Sequence, residues 1–267
     1  MARLRPRPTP RVPWAWAATG AACGLLLACV LWAPARWLAA AVAQASSERV
    51  QLVQAEGTVW DGSARLLLSG GRGTTNTSTL PSPVHWRLRP HWGGLALHLA
   101  EPCCQDGSWR WRATLDGFGL VLQADDLASA ASHWPAAVLS GLGTPWNTVQ
   151  LQGTLAVHTQ DLRVTLGAQH WALQGHAAVD AVGVRTVLST LQPLGSYRLA
   201  IEGGAQPALT LSTLEGALQL SGQGELVQGH WRFRGEARSE AAAQSALGNL
   251  LNIIGRRDGA RSVITVG

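Results

Sequence analysis

The sequence predicts a mainly β protein: a single N-terminal transmembrane helix, then a mostly antiparallel β-sheet domain with one or two short helices. Three observations predict it. Residues 14–33 form an uncharged apolar run. From Val50 onward, apolar and polar residues alternate with period two, the mark of strands with one buried and one wet face. Between the alternating stretches stand turn pairs such as Asp61-Gly62, Asp106-Gly107, Asp116-Gly117, Gly203-Gly204 and Gln228-Gly229.

The helix comes first. A membrane crossing needs about 20 apolar residues, and the run from Trp14 to Ala33 has that length. Leu25, Leu26, Leu27, Val30 and Leu31 fill it; Trp14 and Trp16 stand at one end, Trp32 and Trp37 at the other. Indole rings favour the membrane–water boundary at both faces. Arg3, Arg5, Arg7 and Arg11 precede the run and only Arg36 closely follows it. The positive-inside rule therefore predicts a cytoplasmic N-terminus and an exported body. The competing reading is a cleaved signal peptide, because Ala41-Val42-Ala43 and Ala43-Gln44-Ala45 offer small residues at the right spacing. The apolar run is longer than an ordinary signal core, which favours the anchor. Both readings export the body. The chain thus divides into a basic tail (1–13), the helix (14–33), a membrane-proximal segment (34–47) and a β-rich domain (48–267). Residues 35–44 are expected to form a short helix on the outer membrane surface.

The β domain follows in short runs. Trp109, Trp111, Ala113 and Leu115 alternate with Ser108, Arg110, Arg112 and Thr114. Val149 to Val157, Leu162 to Leu166, Trp171 to Val179 and Tyr197 to Ile201 repeat the pattern, as do Leu209 to Leu211, Leu218 to Leu220 and Trp231 to Phe233. Ser69 to Pro83 is polar with two prolines and reads as a loop. Two helices are expected. One runs from Asp126 to Leu139 with a capping Asp, interrupted by Pro135. The other runs from Ser239 to Ile254, with Ser239 as cap, Gly255 as stop, and Arg256 and Arg257 near the negative helix end. A last strand is expected over Ser262 to Val266.

Charge and motifs exclude several functions. All 21 basic residues are Arg; without the four in the tail, 17 Arg face 16 acids. The basic character belongs to a short arm rather than to a binding face, so nucleic acid is not an expected partner. No GxSxG elbow, HExxH, P-loop or strand–GxGxxG–helix unit occurs, so no catalytic, cofactor-binding or metal residue is assigned and no enzyme is expected. His85, His91 and His98 read as solvent-facing strand or loop residues. Trp109 to Arg112 reads as a strand with Trp inward and Arg outward. Asp258 and Arg261 read as a turn pair. Cys103 and Cys104 can pair with each other or across a dimer, or stand free and half-buried on a turn.

The motif order resembles one family. Glu56-Gly57-Thr58-Val59-Trp60-Asp61-Gly62 opens the body soon after the single span, and Trp86-Arg87-Leu88 follows. Leu194-Gly195-Ser196-Tyr197 and Leu218-Gln219-Leu220-Ser221-Gly222-Gln223-Gly224 come late, then Leu250–Ile254, Gly255-Arg256-Arg257-Asp258-Gly259 and a short terminal strand. Over about residues 14–267 this order is similar to protein N of the bacterial type II secretion system. The resemblance implies a non-catalytic accessory component of the inner-membrane platform, facing the periplasm and helping folded proteins cross the outer membrane. Its implied partners are the other inner-membrane components and the lipid bilayer. More loosely, an anchored chain of short strands resembles AsmA-like proteins, which implies a curved sheet with phospholipid in an apolar groove. Gly57, Trp60, Asp61, Gly62, Tyr197, Gly222 and Gly255 are the structural motif residues on this reading.

Overall fold

The computed structural model describes residues 14–117, 119–128, 131–167, 171–227, 230–259 and 261–266. The basic tail with Arg3, Arg5, Arg7 and Arg11, and the Gln228-Gly229 pair, lie outside them.

Helix α1 (Trp14–Leu31) is rich in Ala and Leu, the strongest apolar helix formers, and is exposed along almost its whole length. It stops at Leu31, short of the expected Ala33, because Pro34 cannot continue it. At 1.5 Å per residue its 18 residues reach about 27 Å, under the roughly 30 Å of a hydrocarbon core. Among the described residues no helix is long and apolar enough to cross a membrane, which says nothing of crossings made by strands. Helix α2 (Ala35–Ala45) follows Pro34 at once. It lies on the sheet: Ala35 is buried, and with Leu38 it packs among Leu52, Ala55, Ala64 and Trp86.

The strands begin with β1 (Val50–Gly57), β2 (Asp61–Ser69), β3 (Thr77–Thr79), β4 (Val84–His91), β5 (Gly94–Ala100), β6 (Trp109–Asp116) and β7 (Gly119–Ala124). They continue with β8 (Trp134–Pro135), β9 (Gln152–Leu166), β10 (Trp171–Arg185), β11 (Gly195–Glu202) and β12 (Ala208–Glu215). The last are β13 (Leu218–Val227), β14 (His230–Ser239), β15 (Arg256–Asp258) and β16 (Arg261–Val266). All join one antiparallel sheet in the order β1-β2-β4-β5-β6-β7-β9-β10-β11-β12-β13-β14-β16-β15, with β3 on β2 and β8 on β9. Nearly every neighbour is the next strand in sequence, so the sheet is a long meander with β1 and β15 at its two edges.

Register gives the sheet an apolar face and a polar face. Ala113, Leu122, Val164 and Leu173 stand in one cross-strand row. Val179, Leu199, Leu211, Gly222, Gly235 and Ile264 form another. On the opposite face stand Ala96, Arg112, Gln123, Arg163 and Gln174. Period-two alternation maps directly onto this division. Long β9 and β10 keep it through a bulge, where left-handed Asp161 (φ 50°) faces Gly175 (φ 83°).

Only parts of the apolar face are covered. Helix α2 covers the β1–β2–β4 end. A 3-10 helix, Ala136–Leu142, packs on β2, β3 and β9, so the sheet curls enough for one short segment to touch strands far apart in its order. Leu80, Cys104 and Val138 are buried there, with Leu66 and Leu68 beside them. Helix α4 (Gln244–Ile254), which follows the single helical turn α3 (Trp146–Val149) in chain order, covers the other end, placing Leu247, Leu250 and Leu251 on Tyr197, Leu218 and Ala237.

Several local expectations are corrected. Among the described residues, Asp126 to Leu139 is not a continuous α-helix. The Ser132 hydroxyl donates to the Val157 carbonyl and accepts from the Val157 N–H, Trp134–Pro135 pairs with β9, and the 3-10 helix begins only after Pro135. The Asp125 carboxylate accepts from Arg112 at 2.8 Å. Asp126 accepts from the Asp161 N–H at 2.8 Å. Ser239 ends β14 instead of capping α4, which starts at Gln244 behind a 3-10 turn. The Ser69–Pro83 stretch contains β3. Residues 149–151 precede β9, and Trp146–Val149 is a single helical turn. Asp61 and Gly62 belong to β2, and the turn itself is Thr58–Trp60.

Candidate functional site: the helix–hairpin junction

The site builds from the Glu56–Gly62 motif. Gly57 takes φ +84°, a region that costs other residues, and a Cβ there would stand 2.5 Å from the Asp61 carbonyl oxygen. That permits a tight turn in which the Thr58 N–H donates to the Asp61 carbonyl at 2.9 Å and the Asp61 N–H donates to the Thr58 hydroxyl at 3.1 Å. The turn projects Trp60 toward the N-terminal helix. The Trp60 indole N–H donates to the Val30 carbonyl at 2.7 Å, where it joins a longer bond of 3.4 Å from the Ala33 N–H at the end of the helix. Beside it the Val59 N–H donates to the Ala33 carbonyl at 2.9 Å, and Pro34 bridges to Thr58.

A second indole supports the turn from beneath. Trp86 is 4% exposed, and its N–H points at the Thr58 and Val59 carbonyls, 3.2 and 3.1 Å away. Its ring fits because Gly62 has no side chain; a Cβ there would lie 2.7 Å from the Trp86 ring. Asp61 faces the other way, accepting from Arg87 at 3.0 Å with Arg89 3.7 Å off, both pairs in solvent. The structure thus brings Gly57, Trp60, Asp61 and Gly62 together with Val30. Trp14, Trp16, Leu25, Leu26, Leu27, Leu31 and Trp32 stay exposed along and just after α1.

The other motif residues lie elsewhere. Tyr197 is buried under α4 and donates its hydroxyl hydrogen to the Leu218 carbonyl at 3.0 Å. Burial holds its phenol well above the usual range. Gly222 pairs with Gly235, and the Phe233 ring lies where a Cβ on Gly222 would be. Gly255 is extended; a Cβ there would collide with the Val263 carbonyl, so it lets β16 approach. Arg257 donates to the Gly248 carbonyl, in the middle of α4, at 3.4 Å and to the Asn252 side-chain oxygen at 3.3 Å.

Three features were missed in the sequence. Trp86 was legible as a strand residue but not as the floor of the junction, because its partners are 27 and 28 residues away. Asp180 accepts two hydrogen bonds from Arg198, both at 2.7 Å, across β10 and β11. The Arg198 hydrogen bond holds its carboxyl below the ordinary value. The third is Glu101: of the alternatives the sequence leaves open for Cys103 and Cys104, the structure has them bonded to each other on the turn after β5. Glu101 lies within 4.8 Å of both sulfurs, almost wholly buried, and its carboxylate has no hydrogen-bond partner among the described residues. With the sulfurs bonded to each other, that turn presents a metal with one carboxylate and no thiolate.

Two clefts open on the surface. One of 460 Å³ is bordered by Asp126, His158 and Arg198; one of 350 Å³ is bordered by Asn76, Ser140 and Asn147. In the first, Asp126 is engaged by the Asp161 N–H and Arg198 by Asp180. Neither cleft joins a nucleophile to a base among the described residues.

Fold and junction define a class: a helix-led, open antiparallel sheet whose leading helix is bonded to its first hairpin. Residues 48–265, nearly the whole sheet, match the family described as Type II secretion system (T2SS), protein N. The chain belongs to that family, an accessory component of type II secretion, which associates it with the envelope and with other secretion components. No curated protein and no solved structure matches the chain.

Proposed function

We propose that the chain is a non-catalytic accessory component of the type II secretion platform in the bacterial inner membrane. It supports passage of folded proteins from the periplasm across the outer membrane. On this reading α1 and the residues up to Ala33 anchor the chain, the N-terminus is cytoplasmic, and residues 48–267 are periplasmic. The carrying observation is the family match over residues 48–265, on a sheet hydrogen-bonded to an exposed apolar helix. The Arg residues before α1 support the orientation.

The test is crosslinking in cells with a C-terminally tagged protein purified from the inner membrane, identifying bound proteins and lipids together. Other type II secretion components should dominate. Unrelated proteins alone would sink the platform role.

One observation favours a second reading, an AsmA-like lipid-binding protein. Between the two covered ends no α-helix among the described residues lies over the apolar face, and Leu122, Val164, Leu173 and Val179 remain half-buried. Apolar patches of this kind mark ligand or partner surfaces. Phospholipid recovered without any secretion component would replace the platform reading with this one.

A further inference from the structure

The antiparallel registers sort the hairpin ends onto two margins of the sheet. Asp61 pairs with Arg87, His91 with Gly94, Asp116 with Gly119, and Trp171 with Leu166. The Thr58–Trp60 turn, the Trp92-Gly93 turn, the β6–β7 end and the β9–β10 end therefore share one margin. It is the margin to which the end of α1 is bonded, through Trp60 and Val30.

This margin carries an unusual run of apolar side chains. Trp92 at its tip is 96% exposed and Leu115 is 75% exposed. Leu115 pairs with Leu120, Leu120 with Leu166, and Leu166 with Trp171, so one apolar row crosses β6, β7, β9 and β10. Scattered exposed apolar residues, such as Val187 and Leu214 on the opposite margin, are ordinary. A joined row ending in Trp is not, because it leaves contiguous apolar surface in water.

We infer that this margin rests on the bilayer surface, with Trp92, Leu115 and Trp171 seated at the level of the lipid headgroups. The inference rests on the proposal that α1 anchors the chain in the inner membrane. Strands lie about 4.8 Å apart, so Trp92 and Leu115 stand only on the order of 10–20 Å along the sheet from the α1 junction. The same bilayer that holds α1 is within their reach. Indole rings suit that boundary, burying the ring and keeping the N–H wet. Arg89 and His91 are exposed beside Trp92, where the Arg charge meets lipid phosphate. The sheet then stands on the membrane on two supports, the helix and the hairpin row.

The test uses the full chain with Cys23→Ala and Cys29→Ala, and a single bimane-labelled cysteine at Trp92→Cys, Leu115→Cys or Val187→Cys. Each variant is reconstituted in phosphatidylethanolamine–phosphatidylglycerol vesicles containing doxyl-labelled lipid. Labels at 92 and 115 should be quenched several-fold more than the label at 187. Equal quenching at all three positions, in protein that resists alkaline carbonate extraction, overturns the inference while the anchor stands. Release of the protein by carbonate removes the anchor, and the inference falls with it. Two tip positions on separate hairpins guard against one substitution disturbing its own turn.

Discussion

The Trp60 indole shows how much one side chain can carry. It donates to the Val30 carbonyl at the end of α1, which also accepts a longer bond from the Ala33 N–H. Trp60→Phe keeps the ring and removes the donor, so it should cost about 1 kcal/mol, read as a lower denaturation midpoint in detergent. The Asp180–Arg198 pair predicts a pH effect. Asp180 is depressed in the fold, chiefly by its hydrogen bond from Arg198, so its stabilisation is complete above the unfolded carboxyl value of roughly 4. It is lost as pH falls through the lower folded value. Chemical denaturation between pH 7 and pH 2 should show a steeper loss below about pH 4 for the native chain than for Asp180→Asn. Arg198 is 42% exposed, so the effect should be modest. The two cases differ in legibility. Gly57 through Gly62 could be picked from the sequence because turn chemistry is local. Trp86 and the Asp180–Arg198 pair could not, because cross-strand register decides both.

At the scale of elements, α4 closes the C-terminal end. Leu250 is 1% exposed on Tyr197 and Leu218, so Leu250→Ala should destabilise by about 2–5 kcal/mol. Proteolysis should then cut first near α4 and the last strands. The 3.6-residue spacing of Ala243, Leu247, Leu250, Leu251 and Ile254 made this helix readable. Its start was misplaced because Ser239 is drawn into β14, where it pairs with Leu218. The segment 126–139 failed for a related reason. Asp126 and Ser132 resemble helix-favouring polar residues locally, yet both spend their oxygens on β9. The sheet offered those groups stronger partners than an isolated helical turn could.

For the whole molecule, alternation alone made the antiparallel meander readable, since short turns between strands force sequence neighbours to pair. Curl and coverage were not readable. They depend on which segments return to the apolar face, and Ala136–Leu142 does so between strands remote in the sheet order. Removing residues 1–31 should leave the sheet folded, with unchanged far-ultraviolet circular dichroism, and lower its stability by about 1 kcal/mol through the lost Trp60 contact. Collapse of the β signal would mean that α1 is part of the domain core.

The doubled connection at Thr58–Trp60 has a mechanical meaning. The covalent path from α1 runs through Pro34 and α2 into β1, while the Val30 and Ala33 carbonyls accept hydrogen bonds from Trp60 and Val59 at the far tip of the same hairpin. Two attachments at opposite ends of one strand make a lever. A tilt or twist of the helix therefore acts as torque on the first hairpin instead of being lost in a slack tether.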